Sequence, residues 1–167
     1  MLLGTTNKKD SFPVEESFII QLMLQQRYAQ VYELLIHQQS TQPSSLYNIA
    51  LCLHWSGNYE EALIRLDNIR LANQMSNQNK LNTDSYLKAI TIKQNQTDDY
   101  LYGMTEAYIK NFSQLASDAV VRLKTDCWLQ LGNYNKVIAV ASLIAHKGYQ
   151  NITDALQLAN TENDKRI

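Results

Sequence analysis

The segment LYNIALCLHWSGNYEEALIRLDNI, residues 46–69, consists of two apolar stripes that flank a Gly-Asn-Tyr turn. In each half, apolar residues recur every three or four positions, which is the spacing of one face of an α-helix. The stripe before the turn comprises Leu46, Ile49, Ala50 and Leu53, and the stripe after it comprises Tyr59, Ala62, Leu63, Leu66 and Ile69. Gly57 supplies the backbone freedom that a sharp turn requires. The segment therefore predicts two helices joined as an αα-hairpin.

The same turn recurs at Gly132-Asn133-Tyr134, again between two runs with helical spacing. The interval between Gly57 and Gly132 accommodates two repeats of about 34 residues and a small insertion. An earlier turn, Gln26-Arg27-Tyr28, keeps the tyrosine but has lost the glycine. Recurrence of one unit at a regular interval is typical of an array of helical repeats.

Apolar spacing in the rest of the chain predicts further helices and no strands. Hairpins are expected over residues 18–35, 86–108 and 120–144, a loop over 75–80, and a short C-terminal helix over 151–159. Ser44 or Ser45 is a suitable N-cap for the helix of residues 46–53. We predict one all-α domain, residues 13–159, with a flexible lead-in of residues 1–12 and a frayed tail of residues 160–167.

The composition excludes several classes of protein. Fifteen Lys and Arg residues against sixteen Asp and Glu residues give a net charge of −1, so no overall positive field attracts nucleic acid. No apolar run approaches the roughly 18 residues of a membrane-spanning helix, and the N-terminus lacks the order of a signal peptide. We therefore expect a cytoplasmic protein that binds neither nucleic acid nor a membrane.

No group of residues predicts an active site, a metal site or a cofactor site. Cys52 and Cys127 stand alone, and buried apolar positions explain both. His37, His54 and His146 are scattered and none has metal-ligand spacing. The isolated glycines form no phosphate-binding loop. We expect no enzyme activity and no cofactor.

Residues 46–69 resemble the tetratricopeptide repeat family. Its helix-defining apolar and small positions fall on Leu46, Ile49, Ala50, Leu53, Ala62 and Leu66, and its preferred turn on Gly57 and Tyr59, with Gly132 and Tyr134 at the later turn. The segment departs from the pattern because it lacks the tryptophan, the aromatic residue of the second helix and the closing proline. The resemblance implies a right-handed α-solenoid of about four stacked hairpins with a C-terminal capping helix.

The resemblance also implies a concave surface lined by the first helix of each hairpin. In this sequence the lining positions are Glu16, Ile20, Met23, Tyr47, Leu51, His54, Trp55, Arg122, Asp126 and Leu129. Tyr47, Leu51 and Trp55 follow one another at i, i+4 spacing and share a face that differs from the core face. That face either binds a partner peptide through aromatic anchors or packs against another part of the chain itself.

The function that follows is a non-catalytic scaffold or adaptor that binds a peptide or helix of another protein in a concave groove. The alternative is a structural subunit that associates with itself or belongs to a larger assembly. A helical enzyme is the least favoured hypothesis because no cluster of titratable residues supports it.

Overall fold

The computed structural model describes residues 15–72 and 84–165, which form α-helices and short 3₁₀ turns without a β-strand. The prediction of an all-α chain is confirmed for these residues. The helices are α1 (Glu16–Leu24), α2 (Tyr28–Gln38), α3 (Pro43–Trp55), α4 (Tyr59–Asp67), α5 (Ser85–Gln94), α6 (Glu106–Asn111), α7 (Ser113–Gln130), α8 (Tyr134–Ala141) and α9 (Gln150–Asp164). The 3₁₀ turns are Asp99–Leu101 and Ala145–Lys147. The predicted lead-in, residues 1–12, and the predicted loop, residues 75–80, lie outside the described residues.

Three hairpins, α1/α2, α3/α4 and α7/α8, share one turn geometry. The turn residues Gln26, Gly57 and Gly132 have φ angles of 57°, 82° and 67°. In each turn the next residue donates its N–H to a carbonyl five positions earlier, with N···O distances of 2.9, 2.9 and 3.0 Å. This pattern is a Schellman motif, which pairs carbonyls that the end of the helix would leave free. The turn that lacks glycine therefore has the same geometry as the two turns that contain it.

The helices that flank these turns pack in chain order, except that α4 packs directly against α7. The predicted core residues Leu46, Ile49, Ala50, Leu53, Ala62 and Leu66 are all buried. The central helix is α3, which is buried at every position from Ser44 to Leu53. At the C-terminal end, α9 covers α7 and α8 through buried Ile152, Ala155 and Ala159. Because α9 continues to Asp164, residues 160–164 are helical rather than frayed.

The hairpin predicted for residues 86–108 does not form a packed pair of helices. Its first helix is present as α5, but the predicted second helix is interrupted between the 3₁₀ turn Asp99–Leu101 and the short α6. Gly103 lies within the interruption, where a Cβ atom would lie 2.5 Å from Met23 Sδ and 2.8 Å from Ile20 Cδ1. The backbone at Gly103 thus lies against α1. Three hairpins, not four, pack in succession in the described part of the chain.

The positive φ of Gln26 generates the first prediction. A residue with a Cβ atom costs roughly 1–2 kcal/mol in the left-handed region, and glycine avoids that cost. Glycine also increases the conformational entropy of the unfolded chain, which offsets part of this gain. We expect Gln26→Gly to raise the free energy of unfolding, measured by urea denaturation, by about 0.5–1 kcal/mol.

The matched control is Gln25→Gly. Gln25 is the neighbouring exposed glutamine and has a φ of −87°, so glycine relieves no strain there. This variant should be less stable than the original chain. A loss of stability in both variants would contradict the assigned backbone conformation.

Candidate functional site

The helix face that was predicted to line a groove lies inside the domain. Tyr47 is fully buried and Leu51 is 3% exposed. The Tyr47 hydroxyl donates a hydrogen bond to the carbonyl oxygen of Tyr100, and burial raises the pKa of Tyr47 well above its usual value. The prediction of an open groove at Tyr47 and Leu51 is therefore wrong. This face of α3 packs against residues 99–104 of the chain itself, which is the other possibility that the sequence left open.

Asn48 holds the covering segment in place. Its Oδ1 accepts the Met104 N–H and its Nδ2 donates to the Met104 carbonyl, both at 2.9 Å. Asn48 is only 3% exposed, so these hydrogen bonds replace contacts that water cannot make there. One side chain thus satisfies both polar groups of a buried backbone position.

Glu16, another predicted groove residue, joins two helix N-termini. Its carboxylate accepts hydrogen bonds from Ser44 Oγ at 2.7 Å and from the Glu106 N–H at 3.0 Å. The Glu106 carboxylate in turn accepts the Ser44 N–H at 2.7 Å. The helix that begins at Pro43 has no side-chain N-cap, and Glu106 takes the role predicted for Ser44 or Ser45. Negatively charged carboxylates stabilise helix N-termini, because the helix dipole places partial positive charge there. Glu16 and Glu106 therefore have a structural role.

Arg122 is buried among aromatic rings and acceptors. Its guanidinium carbon lies 4.5 Å from the ring centres of both Tyr100 and Tyr149. Nη1 donates to Asp99 Oδ1 at 2.5 Å, Nη2 to the Thr97 carbonyl at 2.6 Å, and Nε to Asn151 Oδ1 at 2.8 Å. Only 2% of Arg122 is exposed, which contradicts its predicted position on an open surface. The residue joins α7 to α9 and to the segment before α6.

His54 and Asp126 are the predicted groove residues that a hydrogen bond brings together. His54 Nε2 lies 2.6 Å from Asp126 Oδ2, which connects α3 with α7. The rings of His54 and Tyr59 also form a T-shaped pair, with 5.4 Å between ring centres. Within the described part of the chain, no serine, threonine or cysteine is hydrogen-bonded to His54, as a nucleophilic site would require. The pair therefore cross-links two helices.

The other predicted groove residues are also largely covered. Met23 is 6% exposed, and Ile20 is partly buried near Gly103. Leu129 packs on the cluster formed by Val137, Ala155 and Ala159. Trp55 alone among the ten predicted residues is largely exposed, at 63%.

Trp55 forms one wall of an open apolar cleft of about 490 Å³ between α2, α3 and the start of α4. We call it the aromatic cleft and define it by Tyr28, Tyr32, Cys52, Leu53, Trp55 and Glu61. The rings of Tyr28 and Trp55 lie 5.0 Å apart with an interplanar angle of 33°, so each orients the other. Tyr28 and Tyr32 were not among the predicted groove residues, because they belong to the second helix of a hairpin and the groove was expected on the first helices. Their i, i+4 spacing on α2 was the available signal.

The lining of the aromatic cleft is mostly apolar. Burial raises the pKa of the Cys52 thiol to about 12, so the nucleophilic thiolate is scarce near neutral pH. Glu61 is the one charged residue among the described residues that line the cleft. Apolar walls with few polar groups are typical of sites that bind apolar side chains.

Wider comparisons do not assign a function. The described residues contain no group of three or more potential metal ligands, and none of their helices is long and apolar enough to cross a membrane. Models of known protein families, curated proteins and solved structures yield no match to the chain. The function must therefore be inferred from the geometry of the molecule.

The role of Asn48 is tested by Asn48→Ala. Loss of the side chain leaves the N–H and the carbonyl of Met104 buried without hydrogen-bond partners. Each unpaired group costs about 1–3 kcal/mol of stability. We expect the free energy of unfolding in urea to fall by about 2–4 kcal/mol. Asn68→Ala is the control, because Asn68 is exposed and donates only to a carbonyl of its own helix. Equal effects of the two substitutions would contradict the role of Asn48.

The role of Arg122 is tested by Arg122→Met, which keeps the apolar stem of the side chain and removes its charge. Removal of one partner from a buried charged network costs about 3–5 kcal/mol, and we expect a loss near the lower end because Asp99 is half-exposed.

Lys136→Met is the control for a surface cation. The Lys136 ammonium lies 5.9 Å from the Trp128 ring centre and is exposed, so the expected loss is at most about 1 kcal/mol. Urea denaturation measures both variants. A loss below about 1 kcal/mol for Arg122→Met would show that the network does not stabilise the fold.

Proposed function

We propose that the protein is a non-catalytic scaffold that binds an apolar peptide or helix of a partner protein in the aromatic cleft. The observation that carries the proposal is the exposed Trp55 ring, which is held by Tyr28 at the edge of an otherwise apolar cleft. Tryptophan and tyrosine are enriched among the residues that dominate binding energy at protein interfaces.

The proposed architecture is a short α-solenoid related to tetratricopeptide repeats. Three consecutive hairpins with one turn geometry support it, as does the direct packing of α4 on α7. In this interpretation, residues 68–112 are an insertion between the second and third hairpins, and α9 is the capping helix. The binding surface then lies at the end of α3, not along its buried face.

The scaffold is suited to binding because the cleft is formed before a partner arrives. Leu53 and Cys52, which form its floor, belong to the buried central helix. A preformed site avoids the conformational entropy cost that a flexible site pays on binding. We further propose a reducing compartment such as the cytoplasm, because Cys52 and Cys127 are both buried as free thiols.

A structural, self-associating subunit is the second candidate. The observation that favours it is the exposure of α5, in which Tyr86, Leu87, Ile90 and Ile92 are each more than half exposed. Contiguous exposed apolar surface of this kind marks an interaction site.

Peptide selection tests the proposed function. A random peptide library is selected on the wild-type protein and counter-selected on Trp55→Ala, and the affinities of recovered peptides are measured by calorimetry. We expect peptides with apolar anchors whose dissociation constants rise at least tenfold, about 1.4 kcal/mol, for Trp55→Ala.

Leu143→Ala is the matched control because Leu143 is as exposed as Trp55, at 66%, and lies outside the cleft. Its affinity for the selected peptides should equal that of the wild type. Failure to recover any peptide that distinguishes wild type from Trp55→Ala would overturn the proposal. Circular dichroism of each variant confirms that its helices are intact.

A further inference from the structure

Helix α5 is the least covered helix in the described part of the chain. None of its ten residues is buried, and it makes no extensive contact with another described helix. The exposed fractions of its large apolar side chains are 77% for Tyr86, 54% for Leu87, 56% for Ile90 and 61% for Ile92.

The ends of α5 are nevertheless defined. The Asp84 side chain accepts the Tyr86 N–H at 3.0 Å and caps the first turn. At the other end, Asn95 Nδ2 donates to the Lys147 carbonyl at 2.8 Å, and the Asn95 carbonyl accepts the Gln150 N–H at 2.9 Å. An isolated helix shorter than about 12–15 residues is marginal in water and gains most of its stability from packing of an apolar face. Among the described residues, none therefore gives the apolar side chains of α5 the packing that a helix of this length needs.

The apolar face of α5 has a definite chemistry. Ile90 lies beside Tyr86 at i, i+4 spacing and beside Leu87 at i, i+3 spacing, so these three side chains share one side of the helix, whereas Ile92 lies on the opposite side. Lys93 borders that face, and α5 contains no acidic residue. A partner surface for α5 is therefore apolar with a negative charge at its edge.

The aromatic cleft has these properties. Its walls are Tyr28, Tyr32 and Trp55, and its charged lining residue is Glu61. The volume of about 490 Å³ lies within the roughly 300–1,000 Å³ typical of binding pockets. The described part of the chain thus carries both an exposed apolar helix with a positively charged residue at its border and an open apolar cleft with a negatively charged residue in its lining.

We propose that α5 of a second copy of the chain occupies the aromatic cleft. Tyr86, Leu87 and Ile90 pack on the aromatic walls, and Lys93 lies near Glu61. The proposal rests on the proposed function, because it assumes that the cleft binds an apolar helix. It names that helix and makes the partner another copy of the chain.

Two-fold symmetry completes the arrangement. Each copy offers its α5 to the cleft of the other, so a single association forms the contact twice, as expected for a symmetric dimer. The side of α5 that contains Tyr86, Leu87 and Ile90 and the aromatic cleft of each copy are covered at once. The symmetric dimer therefore requires that each copy provides both an undamaged aromatic cleft and an undamaged α5.

The experiment measures mass as a function of concentration by sedimentation velocity for the full-length chain and two variants. Trp55→Ala damages the cleft and leaves α5 intact. Ile90→Glu damages α5 and leaves the cleft intact, and glutamate preserves the tendency to form a helix. We expect a dimer for the wild type and at least a tenfold weaker association for each variant alone.

Mixing the two variants is the decisive step. The α5 of Trp55→Ala and the cleft of Ile90→Glu form one undamaged contact. When each substitution alone abolishes the contact that contains it, the mixture forms a heterodimer with one contact, which is weaker than the wild-type dimer and stronger than either variant alone. Leu143→Ala, which changes an exposed leucine outside both surfaces, should associate like the wild type.

The remaining outcomes overturn the proposal in distinguishable ways. A wild-type protein that stays monomeric excludes the dimer, and the proposed function survives if selected peptides still require Trp55. A dimer that Trp55→Ala does not weaken excludes the cleft as the site of α5. Mixed variants that do not associate exclude the exchange of α5 between copies. Failure of both the dimer and the peptide selection rejects the cleft as a binding site altogether.

Discussion

The double hydrogen bond between Asn48 and the backbone of Met104 is the constraint on which the rest of the structure depends. It places residues 99–104 against the central helix α3 in a buried environment. There, an unpaired polar group would lower the stability of the fold. The Tyr47 hydroxyl donates to the Tyr100 carbonyl in the same region. Together these contacts turn α3 from a helix with one free face into a helix that is covered on all sides. The place where a repeat protein would offer its inner surface is filled by its own chain.

The same segment supplies the partners of the buried arginine. Thr97, Asp99 and Tyr100 surround the Arg122 side chain from one direction, while Tyr149 and Asn151 reach it from α9. A buried guanidinium is tolerated only when its charge and its donors are matched. Residues 97–104 therefore connect the first two hairpins to the third and to α9. Their role is to join the parts of the domain, in place of the additional stacked hairpin that the sequence predicted.

Because residues 99–104 cover Tyr47 and Asn48, the surface that we propose for binding lies at the end of α3. Trp55 remains exposed because it lies in the last turn of α3, beyond the reach of the covering segment. Tyr28 and Tyr32 approach it from α2 and produce an aromatic cleft at the end of the hairpin. A second exposed apolar surface is α5, which lies between α4 and α7 in the chain. Residues 99–104 thus cover one face of α3, and α5, which precedes them in the chain, remains exposed.

Local spacing in the sequence determined the helices, the turns at Gly57 and Gly132 and the buried stripe of the second hairpin. These features depend on residues that are close together in the sequence. They follow from the spacing of apolar residues along each helix and from the backbone freedom of glycine at each turn. Tertiary structure alone decided that residues 100–108 break into a 3₁₀ turn and a short helix, because Gly103 lies against α1 and Asn48 pairs with Met104. It also decided that the second apolar face of α3, which contains Tyr47 and Leu51, was buried within the chain itself, and it brought Tyr28 to Trp55. Contacts of this kind join residues that are distant in sequence, and no periodicity within one helix encodes them.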